Sequence, residues 1–342
     1  MSSRSPMCMR KTLRCCGLAA MLVSGLAACS SGGGENGAGG TSGTGGSGGD
    51  GGVAGSGGVA GNGGVAGTGG VAGTGGVAGN GGVGGAEYEL VFADEFVGTS
   101  LSPANWTIET GYGIYGWGNN EWQLYTDLPA NVRVEDGNLV LSALCQAPCD
   151  VRDGSITSGK INSLGKFDFK FGKVEARIKP PVGEAAWPAF WSLGTNFPTI
   201  GWPRSGEIDF MEMFNLPSDE GTTHFAMHWC DETIQAPEPC SFPEGRVYDS
   251  QSKTFDESLG DDFHLFEAEW DENEIIGKID GLVYFTKAID PATMEEFLKE
   301  FYLILNVAMG GTLGSNNQPP NGTETFPQTM LVDYVRVYQR VD

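Results

Sequence analysis

The stretch GEIDFMEMF, residues 206–214, sets three carboxylates into an otherwise apolar run. Its Ile, Phe and Met residues read as a half-buried strand, in which alternate side chains face opposite sides. Glu207 and Asp209 then share a face, and Glu212 falls out of step by one residue. With plain pleating Met211 would face the polar side and Glu212 the core, where an unpaired carboxylate is expensive. One extra residue in a β-bulge resolves the conflict by returning Glu212 to the side of Glu207. Strand positions four apart lie about 13 Å apart at Cα, and two Glu side chains leaning together by about 4 Å each bring their carboxyls to about 5 Å. That is roughly the 5–5.5 Å at which one carboxylate attacks an acetal carbon while the other protonates the leaving oxygen and later activates water. Three acids on one face cannot all ionise cheaply, so at least one pKa should rise, and the raised group suits a general acid. The roles expected are Glu207 as nucleophile, Glu212 as acid/base and Asp209 as the group that orients the nucleophile. The same acids would also fit a calcium site or a merely polar sheet face.

The elements that must hold these acids are overwhelmingly β. YELVFADEF, GNLVLSAL, GKFDFKF, KVEARIK, AWPAFWSL, THFAMHW, FHLFEAEW, EIIGKID, LVYFTKA, FYLILNVAM and MLVDYVRVY are short, rich in β-branched and aromatic residues, and punctuated by Gly, Pro, Asp and Asn. Asp280-Gly281 is a hairpin turn. One short helix is expected over PATMEEFLKE, with Pro291 near its first turn. Many strands without alternating helices predict a sandwich of two antiparallel sheets. Tryptophans 117, 122, 187, 191, 202 and 229 gather around the acids in sequence. Trp117, Trp187, Trp191 and Trp202 are candidate platforms for sugar rings, whose C–H faces stack on indole.

The acidic strand together with AWPAFWSLG and GWPRSG closely resembles glycoside hydrolase family 16, most of all its laminarinase branch (endo-1,3-β-glucanases). FADEF, GWGNNEWQLYT, KVEARIKPP, THFAMHW, LILNVAMGG and LVDYVRVYQ extend the resemblance over nearly all of residues 88–340. It implies an all-β jelly roll with an open concave cleft. It also implies retaining endo-hydrolysis of β-glucan by Glu207, Asp209 and Glu212 without a catalytic metal. It further implies substrate contacts from Asn119, Glu175, Arg177, Trp191 and His228. A structural calcium on the convex side would use Glu95 and Gly137, through backbone carbonyls, and Asp333. The alternatives left open are mixed-linkage β-glucan or a galactan such as agar or carrageenan as substrate, and a surface glucan-binding protein without catalysis.

The rest of the chain speaks to location. Arg4, Arg10, Lys11 and Arg14 precede an apolar run ending in Leu26-Ala27-Ala28-Cys29, which resembles a bacterial lipobox. Residues 1–28 are read as a lipoprotein signal peptide, with Cys29 acylated. The product would be exported and lipid-anchored at the cell envelope or surface, or else secreted. Residues 29–85 carry a hexapeptide repeat such as GGVAGT, with too little apolar area for a packed solenoid, and are expected to be a disordered tether. Residues 86–342 form the catalytic domain, expected to be a monomer. Of eight cysteines, four remain there. Cys145 with Cys149 and Cys230 with Cys240 is the expected disulfide pairing; zinc is the rival, without CxxC spacing to support it. A net charge of −23 argues against nucleic acid and anionic lipid and leaves neutral polysaccharide as the partner.

Overall fold

The computed structural model describes residues 87–146, 149, 154–233, 240 and 246–341. The signal peptide, Cys29 and the tether lie outside the described residues. Two sheets stack face to face. The acid-bearing sheet has seven strands. In spatial order they are Arg246–Thr254, Thr222–Cys230, Glu207–Glu212, Ala186–Gly194, Phe301–Met309, Lys160–Asn162 and Thr107–Ile108, all paired antiparallel. The opposite sheet has ten strands, with Gly172–Lys179 and the long Gln328–Val341 at its centre. Its pairs are antiparallel except the short parallel contact of Leu124–Tyr125 with Ile156–Ser158. This is the expected jelly-roll sandwich.

The core is what alternation supplies from both layers. Phe190, Ile208, Phe210, Met211, Phe225 and Leu305 from the acid-bearing sheet meet Leu141, Val174, Ala176, Ile178, Phe266 and Val332 from the other. Asp280 and Gly281 both take left-handed φ, +49° and +77°, as a tight hairpin with matching twist requires. Both expected disulfides are present, Cys145–Cys149 and Cys230–Cys240.

Three details differ from expectation. PATMEEFLKE gives only a 3-10 turn, Glu295–Leu298, because the chain must straighten at once into Phe301–Met309. GKFDFKF pairs only through Phe169 with Phe301, and its aromatics spend themselves on core and stacking contacts instead. Arg246–Thr254, not among the expected strands, is the edge strand of the acid-bearing sheet. Its Asp, Ser, Gln and Lys residues are what a solvated edge tolerates.

Candidate active site

The bulge lies where the spacing required it. Against Ala186–Gly194, Asp209 pairs with Trp191 but Met211 pairs with Phe190, so Phe210 is the extra residue. The register against Thr222–Cys230 shifts over the same span, from Asp209 opposite Ala226 to Glu212 opposite His224. Ile208, Phe210, Met211 and Met213 all enter the core. Glu207, Asp209 and Glu212 are thereby left on the other face. Reading across neighbouring strands, Glu207 lies between His228 and Leu193, Asp209 between Ala226 and Trp191, and Glu212 between His224 and Ala189.

Each acid has distinct company. His228 Nε2 lies 3.7 Å from Glu207 Oε1 and 3.4 Å from Asp209 Oδ2. Trp187 Nε1 donates to Glu212 Oε1 at 2.9 Å. Burial pushes the Glu207 carboxyl up to about 8, reinforced by Asp209 and opposed by His228. Burial, then the neighbouring Glu212, holds Asp209 well above the carboxylate range. Glu212 is raised by burial too, with the Trp187 bond and His228 pulling the other way. Burial lowers His228, so its imidazole tends to neutrality despite the acids beside it. At neutral pH the trio therefore keeps protons that isolated carboxyls would have lost. Acids crowded in this way ionise in steps rather than together, and a carboxyl that keeps its proton is suited to donate it.

The aromatics take two positions. Trp202 packs beside His228, ring centroids 5.9 Å apart, and Tyr248 flanks the same imidazole at 5.8 Å. Trp191 donates to Asn306 Oδ1 at 2.7 Å. Lys160 Nζ lies 4.1 Å from the Trp117 ring centre and 5.2 Å from that of Trp191, which brings these two indoles together. Trp117 is presented by a left-handed run, with φ of +53°, +60°, +56° and +88° at Tyr115, Gly116, Trp117 and Gly118. Glycine adopts this backbone freely; at Tyr115 and Trp117 it is strained. Contacts of Trp117 with Gly111, Tyr125 and Lys160 hold it. Trp122 and Trp229 belong to the core.

Sequence reasoning missed Glu121. It is buried, accepts from Asn119 at 3.2 Å and from Gln123 at 2.6 Å, and its charge raises the Glu212 pKa. Asn119 therefore reaches the site by holding this acid. The motif GWGNNEWQ contains Glu121, but nothing local says that its carboxyl turns inward. Asn306 was missed as the lone amide of an apolar strand, and Lys160 because its three-residue strand, Lys160–Asn162, is too short to show a pattern.

Glu175 and Arg177 are not in the cleft. Their strand, Gly172–Lys179, belongs to the opposite sheet, and Val174, Ala176 and Ile178 take its core face. Glu175 pairs with Lys173 at 2.6 Å and accepts from Tyr338; Arg177 pairs with Asp333 at 2.8 Å and covers Phe263. The expectation that they touch substrate is thus corrected: alternation fixes which residues share a face, not which sheet the strand joins. The calcium positions are engaged differently from a cation site built on carboxylates. Both oxygens of Glu95 accept from Arg336, at 2.7 and 2.9 Å, and Asp333 is held by Arg177. Side-chain ligation there does not fit, since a guanidinium already neutralises each carboxylate.

A two-sheet sandwich with a carboxylate trio on one face, flanked by indoles, defines a polysaccharide-cleaving class of β protein. The profile of Glycosyl hydrolases family 16 matches residues 119–335, and the chain belongs to that family. It is 35% identical over 274 residues to glucan endo-1,3-beta-glucosidase A1 of Niallia circulans, covering 74% of this chain and 38% of that protein. Over 262 residues it is 34% identical to a glucan endo-1,3-beta-glucosidase of Cryptopygus antarcticus, covering 72% of this chain and 90% of the relative. The catalytic domain of an endo-1,3-beta-glucanase (laminarinase) from Thermotoga petrophila superposes with a TM-score of 0.64 at 35% identity, covering 75% of this chain and all of that structure (100%). The chain spans little more than a third of some relatives, as with the 38% above.

The Trp187 bond yields a first prediction. Trp187→Phe removes the N–H that favours the charged form of Glu212. The pKa of the acid should rise, moving the alkaline limb of the kcat profile upward, and kcat should fall about tenfold. A pH–rate series on the variant checks both; an unmoved alkaline limb would separate Trp187 from proton transfer.

Proposed function

We propose that the chain hydrolyses internal β-1,3-glucan linkages with retention at the anomeric carbon. The observation that carries this is the bulge, which puts Glu207 and Glu212 on one face with Asp209 between them. Glu207 attacks the anomeric carbon while Glu212 protonates the departing glycosidic oxygen. The glycosyl ester on Glu207 is then hydrolysed by water that Glu212 deprotonates. Asp209, buried beside Glu207 on the same face, discourages the two acids from ionising together, so that their protons are shared out between them. The indoles of Trp117, Trp191 and Trp202 supply stacking faces for the pyranose rings. The names of the 1,3-glucanase relatives support the substrate. Product profiles on laminarin, lichenan and agarose, with the new reducing-end anomer followed by NMR, test the reading. Laminarin cut internally to the β anomer supports it. Preferred cleavage of agarose or lichenan would redirect the substrate, and a relative named as a keratan-sulfate endo-1,4-beta-galactosidase, 31% identical over 258 residues, makes that comparison necessary.

A second reading rests on a relative named as a beta-1,3-glucan-binding protein of Penaeus monodon, 32% identical over 205 residues. It predicts tight glucan binding with no turnover. Retention of both Glu207 and Glu212 in the required register favours hydrolysis.

Two further proposals concern residues outside the cleft. Cys29 carries a lipid that anchors a monomer to the cell envelope; Cys29→Ser should release the protein to the soluble fraction. Calcium binds through the backbone carbonyls of Glu95, Gly137 and Asp333, since the Glu95 and Asp333 carboxylates are paired with Arg336 and Arg177. A chelator should then lower Tm, and an unchanged Tm would remove the ion from the account.

A further inference from the structure

We propose that Glu207, Asp209 and His228 also form a binding site for a tetrahedral divalent transition ion such as Zn2+, and that the ion and the glucan exclude each other. One nitrogen and two carboxylate oxygens converge here, all within 4.8 Å of one another. Tetrahedral zinc, at about 2.0–2.2 Å from N and O donors, sets neighbouring donors about 3.4 Å apart. His228 Nε2 lies 3.4 Å from Asp209 Oδ2 and 3.7 Å from Glu207 Oε1, so two edges of the polyhedron already have nearly the right length. The third edge, between Glu207 and Asp209, lies within the same 4.8 Å.

A second observation points the same way. Asp209 is only 3% exposed, and its Oδ2, the oxygen facing His228, has no hydrogen-bond partner among the described residues. A buried oxygen without a donor is costly, and a cation would satisfy it. The donors sit on two strands in direct register, Glu207 opposite His228, so little ordering is needed on binding. An imidazole with two carboxylates suits zinc, cobalt or copper better than calcium, which asks for six to eight oxygens. The protein supplies three ligands and leaves the fourth position to water or a competing ligand.

The site is not a dedicated one. Tight histidine sites fix the ring by an acceptor behind the second nitrogen, and His228 Nδ1 is buried without such a partner. That omission costs roughly 10–100-fold in affinity. The ion would act as a reversible inhibitor: it ligates the proposed nucleophile and occupies the position of the anomeric carbon. Only this inhibitory half rests on the hydrolytic reading.

The test is calorimetric titration of the full chain with ZnCl2, paired with CoCl2 titration followed by visible absorption. We expect one saturable component that weakens roughly tenfold or more in His228→Ala and in Asp209→Asn. Its Co2+ spectrum should show d–d bands without thiolate charge transfer, which sets it apart from any cysteine site near the N-terminus. Laminari-oligosaccharides should weaken it, and Zn2+ should inhibit laminarin hydrolysis in a way that added substrate relieves. Isotherms identical in wild type and in a folded variant overturn the site, as does a Co2+ signal carried by thiolate alone. If His228→Ala does not fold, Asp209→Asn and the Co2+ spectrum still decide. If laminarin is not hydrolysed at all, the isotherms still judge the metal site, and only the functional reading falls.

Discussion

Glu207→Gln is expected to lower kcat on laminarin roughly 10^4-fold or more, with binding of the glucan retained. The amide keeps the shape of the carboxylate and loses the electron pair that forms the glycosyl ester. Glu212→Gln should be as damaging on laminarin, whose alkoxide leaving group needs a proton. It should be much milder on an aryl β-glucoside whose leaving group departs unprotonated. Small nucleophiles then separate the roles. In Glu207→Ala, azide enters from the face vacated by the carboxylate and should give an α-glycosyl azide. In Glu212→Ala the ester still forms on Glu207, and azide displaces it a second time to give the β-glycosyl azide. The products are told apart by their anomeric coupling in NMR. Exchange of the two outcomes would swap the assignments; restoration in neither variant would remove both glutamates from the chemistry.

That expectation is strong because the acidic strand carries its own geometry in its sequence. E-x-D-x-x-E conflicts with the period of two, and only a bulge lets all three acids escape the core. The register confirms it at Phe210. Local physics was enough because the conflict and its remedy lie within six residues. Glu175 and Arg177 show the opposite case. Their strand alternates as cleanly, yet its layer is chosen by pairing with His264–Trp270 and Gln328–Val341, far away in the chain. No local pattern encodes such a choice. Arg246–Thr254 was illegible for another reason. A solvated edge strand needs no apolar face, so its polar sequence resembles a loop until Thr222–Cys230 provides the ladder. Glu121 and Lys160 became visible only through contacts: Asn119 and Gln123 for the one, the rings of Trp117 and Trp191 for the other.

The acids proposed to do the chemistry should also destabilise the fold, in a way that depends on pH. Glu207 titrates at about 8 in the folded chain against an ordinary 4.5, and Asp209 and Glu212 are displaced in the same direction. The folded state therefore binds more protons than the unfolded one between those values. Stability from this source is complete below about pH 4.5, declines as pH rises through the folded pKa, and levels off above pH 8. Glu207→Gln cannot ionise, so it escapes its own share of the loss and lightens the repulsion felt by its two neighbours. The variant should match wild type in Tm near pH 4.5 and exceed it near pH 8. The gap should be on the order of a few kcal/mol, or about 5–10 °C for a domain of this size. Calorimetric Tm values at several pH values across that interval measure it. A Tm difference that does not change with pH would mean that Glu207 ionises as easily in the fold as out of it. The crowding of Glu207, Asp209 and Glu212 would then impose no proton sharing, and the division of labour between nucleophile and acid would lose its electrostatic basis.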